Sequence, residues 1–231
     1  MTRQVPWPRI FAEGLAIVVS ILLAFGIQAW WEGRQEAALV QRGLSAVRDE
    51  LAAVRTRIDE DIPFSEAWLN NAEALVATLD SVPGGETVFV SDSVLASMFS
   101  VYVADVPTGI VESFISSGRL DAVQNTDLRR SLLEWISLVE DQRDDQARTS
   151  EFGRSELRPF LRARFDVQNA QRVEEGTHDP TGSTRVQSDA QFRGLADWQR
   201  RWLGIIKNQD HSLREHSTRL DSLIRVELGD P

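Results

Sequence analysis

Few side chains in this sequence have the types and spacing that metal chemistry needs. Histidine occurs three times and cysteine not at all, so thiolate metal sites, disulfides and cysteine nucleophiles are excluded. His211 and Glu215 lie one turn apart on a predicted helix and could supply two ligands to a metal ion. His216 points to another side of that helix, and the sequence offers no third ligand. We therefore interpret the pair as an exposed polar contact and assign no metal.

Acidic residues and serines give no catalytic pattern. Acids cluster on a predicted helix at Glu140, Asp141, Asp144 and Asp145. Their spacing is not that of a calcium-binding loop, so a solvated helix face explains them. No serine has an evident base partner, and the sequence contains neither a phosphate-binding glycine loop nor a GxSxG motif. We assign no catalytic residue and no cofactor, and we expect a protein that is not an enzyme.

One basic stripe could bind a ligand. Arg154, Arg158 and Arg162 follow each other every four residues in a chain of net charge −10. Such a stripe could receive an anionic ligand, a lipid headgroup or an acidic partner. The alternative is that these arginines pair with acids of the same domain. The negative net charge argues against nucleic acid as a partner.

The strongest signal is an apolar segment near the N-terminus. Residues 10–31 contain one charge, Glu13, and as a helix they would span roughly 33 Å, enough for a bilayer core. Trp7 precedes this segment, and Trp30 and Trp31 close it, as expected for aromatic belts at the two interfaces. No cleavage site follows. We predict a tail at residues 1–9 and a retained transmembrane anchor at residues 10–31.

The flanking charges predict an orientation. The tail carries Arg3 and Arg9 and no acid, whereas acids alternate with arginines beyond Trp31. We expect the tail in the cytoplasm and the following domain on the periplasmic or extracytoplasmic side of a bacterial inner membrane.

One face of the anchor repeats small or polar residues every four positions. Such residues let a second helix approach closely, so a homodimer or another membrane protein is a possible partner besides the lipid bilayer. The alternative is a face that meets only lipid. The residues of this face are Ala16, Ser20, Ala24 and Gln28.

Residues 32–231 form the second region, an acidic helical domain. Apolar residues there alternate by four and three from Val40 to Ile58, which predicts a helix with a heptad seam. The seam could form a dimeric coiled coil or the inner face of a bundle within the chain. We favour the bundle, because later helices also need apolar partners. Pro63 is expected to end or kink this helix. The seam residues are Val40, Leu44, Val47, Leu51, Val54 and Ile58.

Further helices follow from apolar periodicity and from capping residues. Gly118 fits a C-terminal cap, and Asn125 or Thr126 fits the next N-cap. Residues 166–189 are polar and predict an exposed loop. The fold class is therefore all-α, with a transmembrane helix that continues into an antiparallel bundle of long helices. The expected segments are an extended run at 87–90 and helices at 64–79, 92–102, 110–117, 126–165 (bent at Gly153 and Pro159) and 190–228.

Two stretches carry a resemblance to a known family. They are the acid within a GI-containing apolar helix followed by WWEGRQE, and the segment ISSGRLDAVQNTDLRRSLLEW. In these two parts the chain resembles a family of uncharacterised bacterial single-pass membrane proteins. The resemblance implies a membrane topology and a helical fold, and it implies no activity and no residue roles.

These observations predict an interaction or ligand-sensing module on a membrane anchor. A first alternative is a structural tether or oligomeric scaffold held together through the heptad seam. A second alternative is a membrane-anchored hydrolase whose site has no recognisable motif.

Overall fold

Helices make up most of the protein in the computed structural model, which describes residues 7–99, 105–174, 176 and 181–230. This confirms the predicted all-α class; the helices are accompanied by one two-stranded ribbon, whose first strand includes the extended run predicted at 87–90. The strands are β1 (Thr87–Ser91) and β2 (Ser183–Gln187). The helices are α1 (Trp7–Asp80), α2 (Asp92–Phe99), α3 (Gly109–Ser116), a 3₁₀ turn (Arg119–Ala122), α4 (Thr126–Phe152), a π-helical turn (Gly153–Leu157), α5 (Arg158–Arg164), α6 (Gln168–Glu174) and α7 (Ala190–Leu228).

The long helices pack with α7 antiparallel to both α1 and α4. Polar contacts between α1 and α7 run in opposite order along the two helices, from Arg48 with Asp221 at 3.7 Å to Asp80 with Arg193 at 3.9 Å. Contacts between α4 and α7 run the same way, from Ser131 with His216 at 2.8 Å to Asp145 with Gln209 at 2.7 Å. The predicted antiparallel bundle is therefore present, with α1 and α4 parallel to each other.

Buried apolar residues form two separate cores. The first core joins the heptad seam of α1 to the first part of α4 and the second half of α7. The second core joins the end of α1 to the ribbon, α2, α5, α6 and the first half of α7. All six seam residues are at most 7% exposed. The interpretation of the seam as the inner face of a bundle is confirmed, and the seam is not free to form a dimer.

Helix α1 continues through Pro63, so the expected helix end there is wrong. Proline removes one backbone hydrogen bond and costs roughly 3 kcal/mol inside a helix. Buried residues of α1 lie on both sides of it, Ile58 before it and Ala72 and Leu75 after it. Because both flanks are packed, tertiary burial outweighs the local cost.

The segment predicted as an exposed loop at residues 166–189 is largely structured, so that prediction is also wrong. It contains α6 and β2, and Val167, Ala170 and Val186 are buried in the second core. Strand β2 pairs antiparallel with β1, with Phe89 opposite Arg185. Pairing with a strand so distant in sequence gives a polar segment its structure.

The predicted caps agree with the structure. Gly118 has a φ of 75°, in the left-handed region that suits glycine, and it follows α3. The Asn125 side chain accepts from the backbone amides of Asp127 and Leu128 at the start of α4. Helix α7 has the predicted bounds, and the π-helical turn and the start of α5 lie at the two expected bends.

A close contact fixes α3 on α1. A Cβ atom added to Gly43 would lie 2.6 and 2.8 Å from two ring carbons of the buried Phe114. The ring cannot turn into solvent, so glycine is required here for space.

We predict that Gly43→Ala is less stable than the matched variant Gly194→Ala, whose added Cβ meets nothing within 4 Å. Both replacements gain similar helix propensity, so the difference between their free energies of unfolding reports the cost of the clash, which we expect to be about 1–3 kcal/mol. Urea unfolding of the full-length protein, followed by circular dichroism, measures it. Equal midpoints would mean that α3 shifts without cost.

Candidate functional site

The three arginines of the stripe each contact another residue of the chain, and Arg154 and Arg162 are also exposed. Arg158 donates to the carbonyl of Phe99 on α2. Arg154 lies 3.3 Å from Glu151. Arg162 is positioned to donate to the side-chain oxygen of Gln171 at 3.0 Å, once that amide is turned with its oxygen toward the guanidinium. The π-helical turn also changes the helical register between the arginines. Each arginine therefore has a partner within the chain.

The histidines and the acidic cluster hold helices together. His211 lies 3.5 Å from Glu66 on α1, and His216 meets the carbonyl of Ser131 on α4 at 2.8 Å. Within the clustered acids, Asp145 accepts from Gln209. Across the described ranges, no three His, Asp or Glu side chains are grouped as metal ligands.

The predicted anchor region protrudes from the bundle. Leu22, Ile27 and Trp30 are 61–66% exposed, and Val40 is the first buried residue of α1 in the described part. Gln28 donates to Glu32 at 2.9 Å, and Arg34 lies over the ring of Trp30 at 5.7 Å from its centre. No helix, over the residues described, has an apolar stretch long enough to cross a membrane.

The remaining predicted anchor positions are placed only in part. Trp31 and Ala24 are exposed, and Ser20 takes part in a polar interaction. The side chains of Trp7 and Ala16, and the tail at residues 1–6, lie outside the described residues.

A buried polar layer lies where the two cores meet. We define it as Ser65 on α1, Gln142 and Gln146 on α4, and Asp210 on α7, all at most 2% exposed. Gln142 Nε2 donates to Asp210 Oδ1 at 2.8 Å, which links α4 to α7. Ser65 lies beside the same carboxyl group and donates to the carbonyl of Ile62 at 3.1 Å. Three helices therefore meet at one carboxyl group.

Our sequence analysis missed this layer, although a signal for it exists. Leu203, Ile206, Asp210 and Leu213 continue one heptad pattern along α7, so Asp210 occupies a core position. Gln142 and Gln146 extend the apolar pattern of α4 in the same way. A search for polar residues at core positions would have found them.

The environment of Asp210 favours its protonated form. Burial raises the pKa of Asp210 from 3.8 to about 6, and the negative charge of Asp61 adds to this effect. Hydrogen bonding from Ser65 and Gln142 and the charge of His211 oppose it. The carboxyl group can therefore change its charge near pH 6 inside the bundle.

A groove of about 510 Å³ lies where α1 leaves the bundle. Six residues on one face of α1, two residues of the 3₁₀ turn, Gln124 and the end of α7 line it; those of α1 are Gly33, Glu36, Ala37, Val40, Gln41 and Leu44. Glu36, Asp121 and Glu227 give it three carboxylates, and none of its lining residues is basic. The backbone amide of Gln124 donates to Glu227 at 3.0 Å. The groove therefore offers apolar contacts and negative charge to a cationic group.

No family model, no curated protein and no solved structure matches this chain. The resemblance to uncharacterised membrane proteins stays a prediction.

We predict that Asp210→Asn changes how stability depends on pH. Between pH 4 and 6 the native protein holds a proton that the unfolded chain has released, so the free energy of unfolding falls as pH rises. Asparagine resembles the protonated carboxyl group and has no charge to bury. The variant should therefore match wild type near pH 4 and exceed it by up to about 3 kcal/mol at pH 8. Urea unfolding at several pH values tests this.

Asp197→Asn serves as the control with the opposite sign. Hydrogen bonds from Arg200 and then Arg201 lower the pKa of Asp197, so its contribution is present at neutral pH and is lost as pH falls below about 4. We expect this variant to be less stable at pH 7 by under about 1 kcal/mol, since the carboxylate is 31% exposed. If both variants shifted the same way, the sign derived for Asp210 would be wrong.

Proposed function

We propose that this chain is a non-enzymatic, single-pass membrane protein whose helical domain is an interaction or ligand-sensing module. The observation that carries the proposal is helix α1, which is continuous from the exposed apolar segment into the buried seam of the bundle. The apolar side chains in the first part of α1 are exposed and would be stabilised by lipid. Those in the second part, the seam, are already buried against other helices of the protein.

The exposed side chains of α1 support insertion into lipid. Large apolar residues follow one another from Val18 to Trp31 on all sides of the helix, and each is at least 46% exposed. A contiguous apolar surface of this kind is unfavourable in water. In a bilayer it would be solvated by acyl chains, with Trp30 and Trp31 near the headgroups. The sequence extends this apolar run back to Ile10, through positions whose side chains lie outside the described residues.

The chemistry of the bundle supports interaction over catalysis. Arg158, His211, His216 and Asp145 contact neighbouring elements, so these side chains contribute to the packing of the fold. The acidic groove lies next to the anchor, where a basic segment of a membrane partner could reach Glu36, Asp121 and Glu227. We propose this groove as the place where a partner binds.

Oligomerisation, if it occurs, has to use a surface other than the seam. The seam is covered by α4 and α7, so the scaffold alternative would depend on the anchor helix. The proposed anchor face at Ala16, Ser20, Ala24 and Gln28 could pack against a second copy or another membrane protein. The exposed position of Ala24 is compatible with this packing, although Gln28 donates to Glu32 of its own helix.

We predict that Leu22→Arg combined with Leu23→Arg releases the protein from membranes. Each arginine at the centre of a membrane helix costs about 2.5–3.5 kcal/mol. The protein should move from the carbonate-resistant membrane fraction to the supernatant. Leu133→Arg, at an exposed leucine of α4, is the matched control and should fractionate like wild type. Retention of the double variant in the membrane would refute the anchor.

We propose a periplasmic or extracytoplasmic location for the bundle, which a single cysteine can test. Ser183 is exposed on β2. The sequence contains no cysteine, so a cysteine introduced there would be the only thiol of the protein. Ser183→Cys should react with a membrane-impermeant maleimide in intact cells. A permeabilised sample controls for reactivity, and labelling only after permeabilisation would reverse the orientation.

A further inference from the structure

We propose that the polar layer is a proton-binding site: a proton on Asp210 closes the layer and keeps the two cores in register, and its loss opens the layer to water. The proposal concerns the bundle alone and does not depend on where the protein is located.

The hydrogen bonds of the layer leave room for one proton. Asp210 Oδ1 accepts from Gln142, whereas Oδ2 has no partner within the described part of the chain. In this structure the single hydrogen of the neighbouring Ser65 hydroxyl goes to the carbonyl of Ile62 at 3.1 Å, although the same hydroxyl can turn toward Asp210. With the Ser65 hydrogen on Ile62, a proton on Oδ2 would let Asp210 donate to Ser65 and join α7 to α1.

Among the described groups near Asp210, the charge of His211 favours the ionised form, and its effect is the weakest of those that act on the carboxyl group. Asp61 faces it from α1 with the same sign of charge, and α4 presents only the neutral amide of Gln142. His211 lies on the same helix as Asp210 but contacts Glu66 on α1. No ion pair to Asp210 is present among the described residues. An ionised carboxylate would therefore be fully buried with one amide as its partner, which is costly.

Several buried polar atoms in and next to the layer lack hydrogen-bond partners in the described structure: Gln142 Oε1 and Gln146 Nε2 in the layer, and Gln209 Oε1 beside it. Polar groups of this kind are satisfied readily by water once it can enter. Unpartnered atoms also occur at Trp135 Nε1 in the first core and at Asp92 Oδ2 beside the second, but the indole is neutral and Asp92 accepts from Thr184 through its other oxygen. We therefore expect ionisation of Asp210 to open the middle of the bundle before its two ends.

Amide hydrogen exchange of the full-length protein in detergent tests this proposal. Opening that releases the proton should become about tenfold more frequent for each pH unit between about 4, where a solvated carboxyl group titrates, and about 6, where Asp210 titrates in the closed layer, and should level off above that. After correction for intrinsic exchange, we expect protection of residues 139–149 and 203–213 to fall about 100-fold from pH 4 to pH 6 and to stay constant from pH 6 to pH 8. Residues 44–54 in the first core should not change. Constant protection around the layer would overturn the proposal.

Two variants separate Asp210 from His211, the ionisable side chain next to it in the sequence. In Asp210→Asn, protection around the layer should stay high at every pH. In His211→Gln, it should fall with pH as in wild type. If the pH dependence persists in Asp210→Asn, or disappears in His211→Gln, Asp210 is not the proton site.

A measurement on wild type alone keeps the proposal testable if Asp210→Asn does not fold. Infrared difference spectroscopy should show one protonated carboxyl band in a low-polarity environment, which disappears with a midpoint near pH 6. A midpoint near 4, as for a solvated carboxyl group, would refute the buried proton.

Discussion

Coverage of the apolar seam of α1 by α7 is the contact on which the rest of this structure depends. The seam is a continuous line of aliphatic side chains that water would otherwise meet. Because α7 runs antiparallel to α1 along most of its length, one helix covers the seam and also reaches the second core. Arg48 at one end and Asp80 at the other contact α7. Helix α4 then fills the remaining side, and the connecting segments follow these three helices.

The same packing brings polar groups into the interior. Helix α7 keeps a single heptad pattern across both cores, so the residue at each core position is buried whatever its chemistry. Asp210 is buried for this reason, and Gln142 meets it because α4 keeps the same spacing. A polar layer specifies helix register more strictly than aliphatic packing, because hydrogen bonds are directional. It also leaves the middle of the bundle sensitive to charge.

Helix α1 links this interior to the exposed apolar segment. Pro63 does not interrupt the helix, and a clash with Phe114 excludes a side chain at Gly43. The part of α1 near the acidic groove is therefore held by α3 and α7. In the proposed membrane protein, a partner in the groove would contact the helix directly beside its anchor. Because Ser65 of the polar layer also belongs to α1, a change in that layer would act on the same helix.

The sequence by itself determined the features that depend on local periodicity and capping. The seam, the bounds of α7, the left-handed Gly118 and the Asn125 cap each follow from residues close together in the chain. The apolar run from residue 10 to 31 likewise predicts its own preference for lipid. Local sequence patterns therefore predict the long helices and the general architecture of the bundle.

Only the tertiary structure decided which side chains meet across distant segments. The polar sequence of β2 is typical of a loop. In the fold, however, its Thr184 is buried and donates a hydrogen bond to Asp92, which is distant in sequence. Only the fold shows that Arg158 of the stripe contacts the carbonyl of Phe99 and that Arg154 lies beside Glu151. In the sequence, Asp210 is one of many acidic residues. In the fold it is a buried carboxyl group, and three helices have to come together to bury it. Periodicity predicts which face of a helix is covered, whereas the identity of the covering group is fixed only by packing.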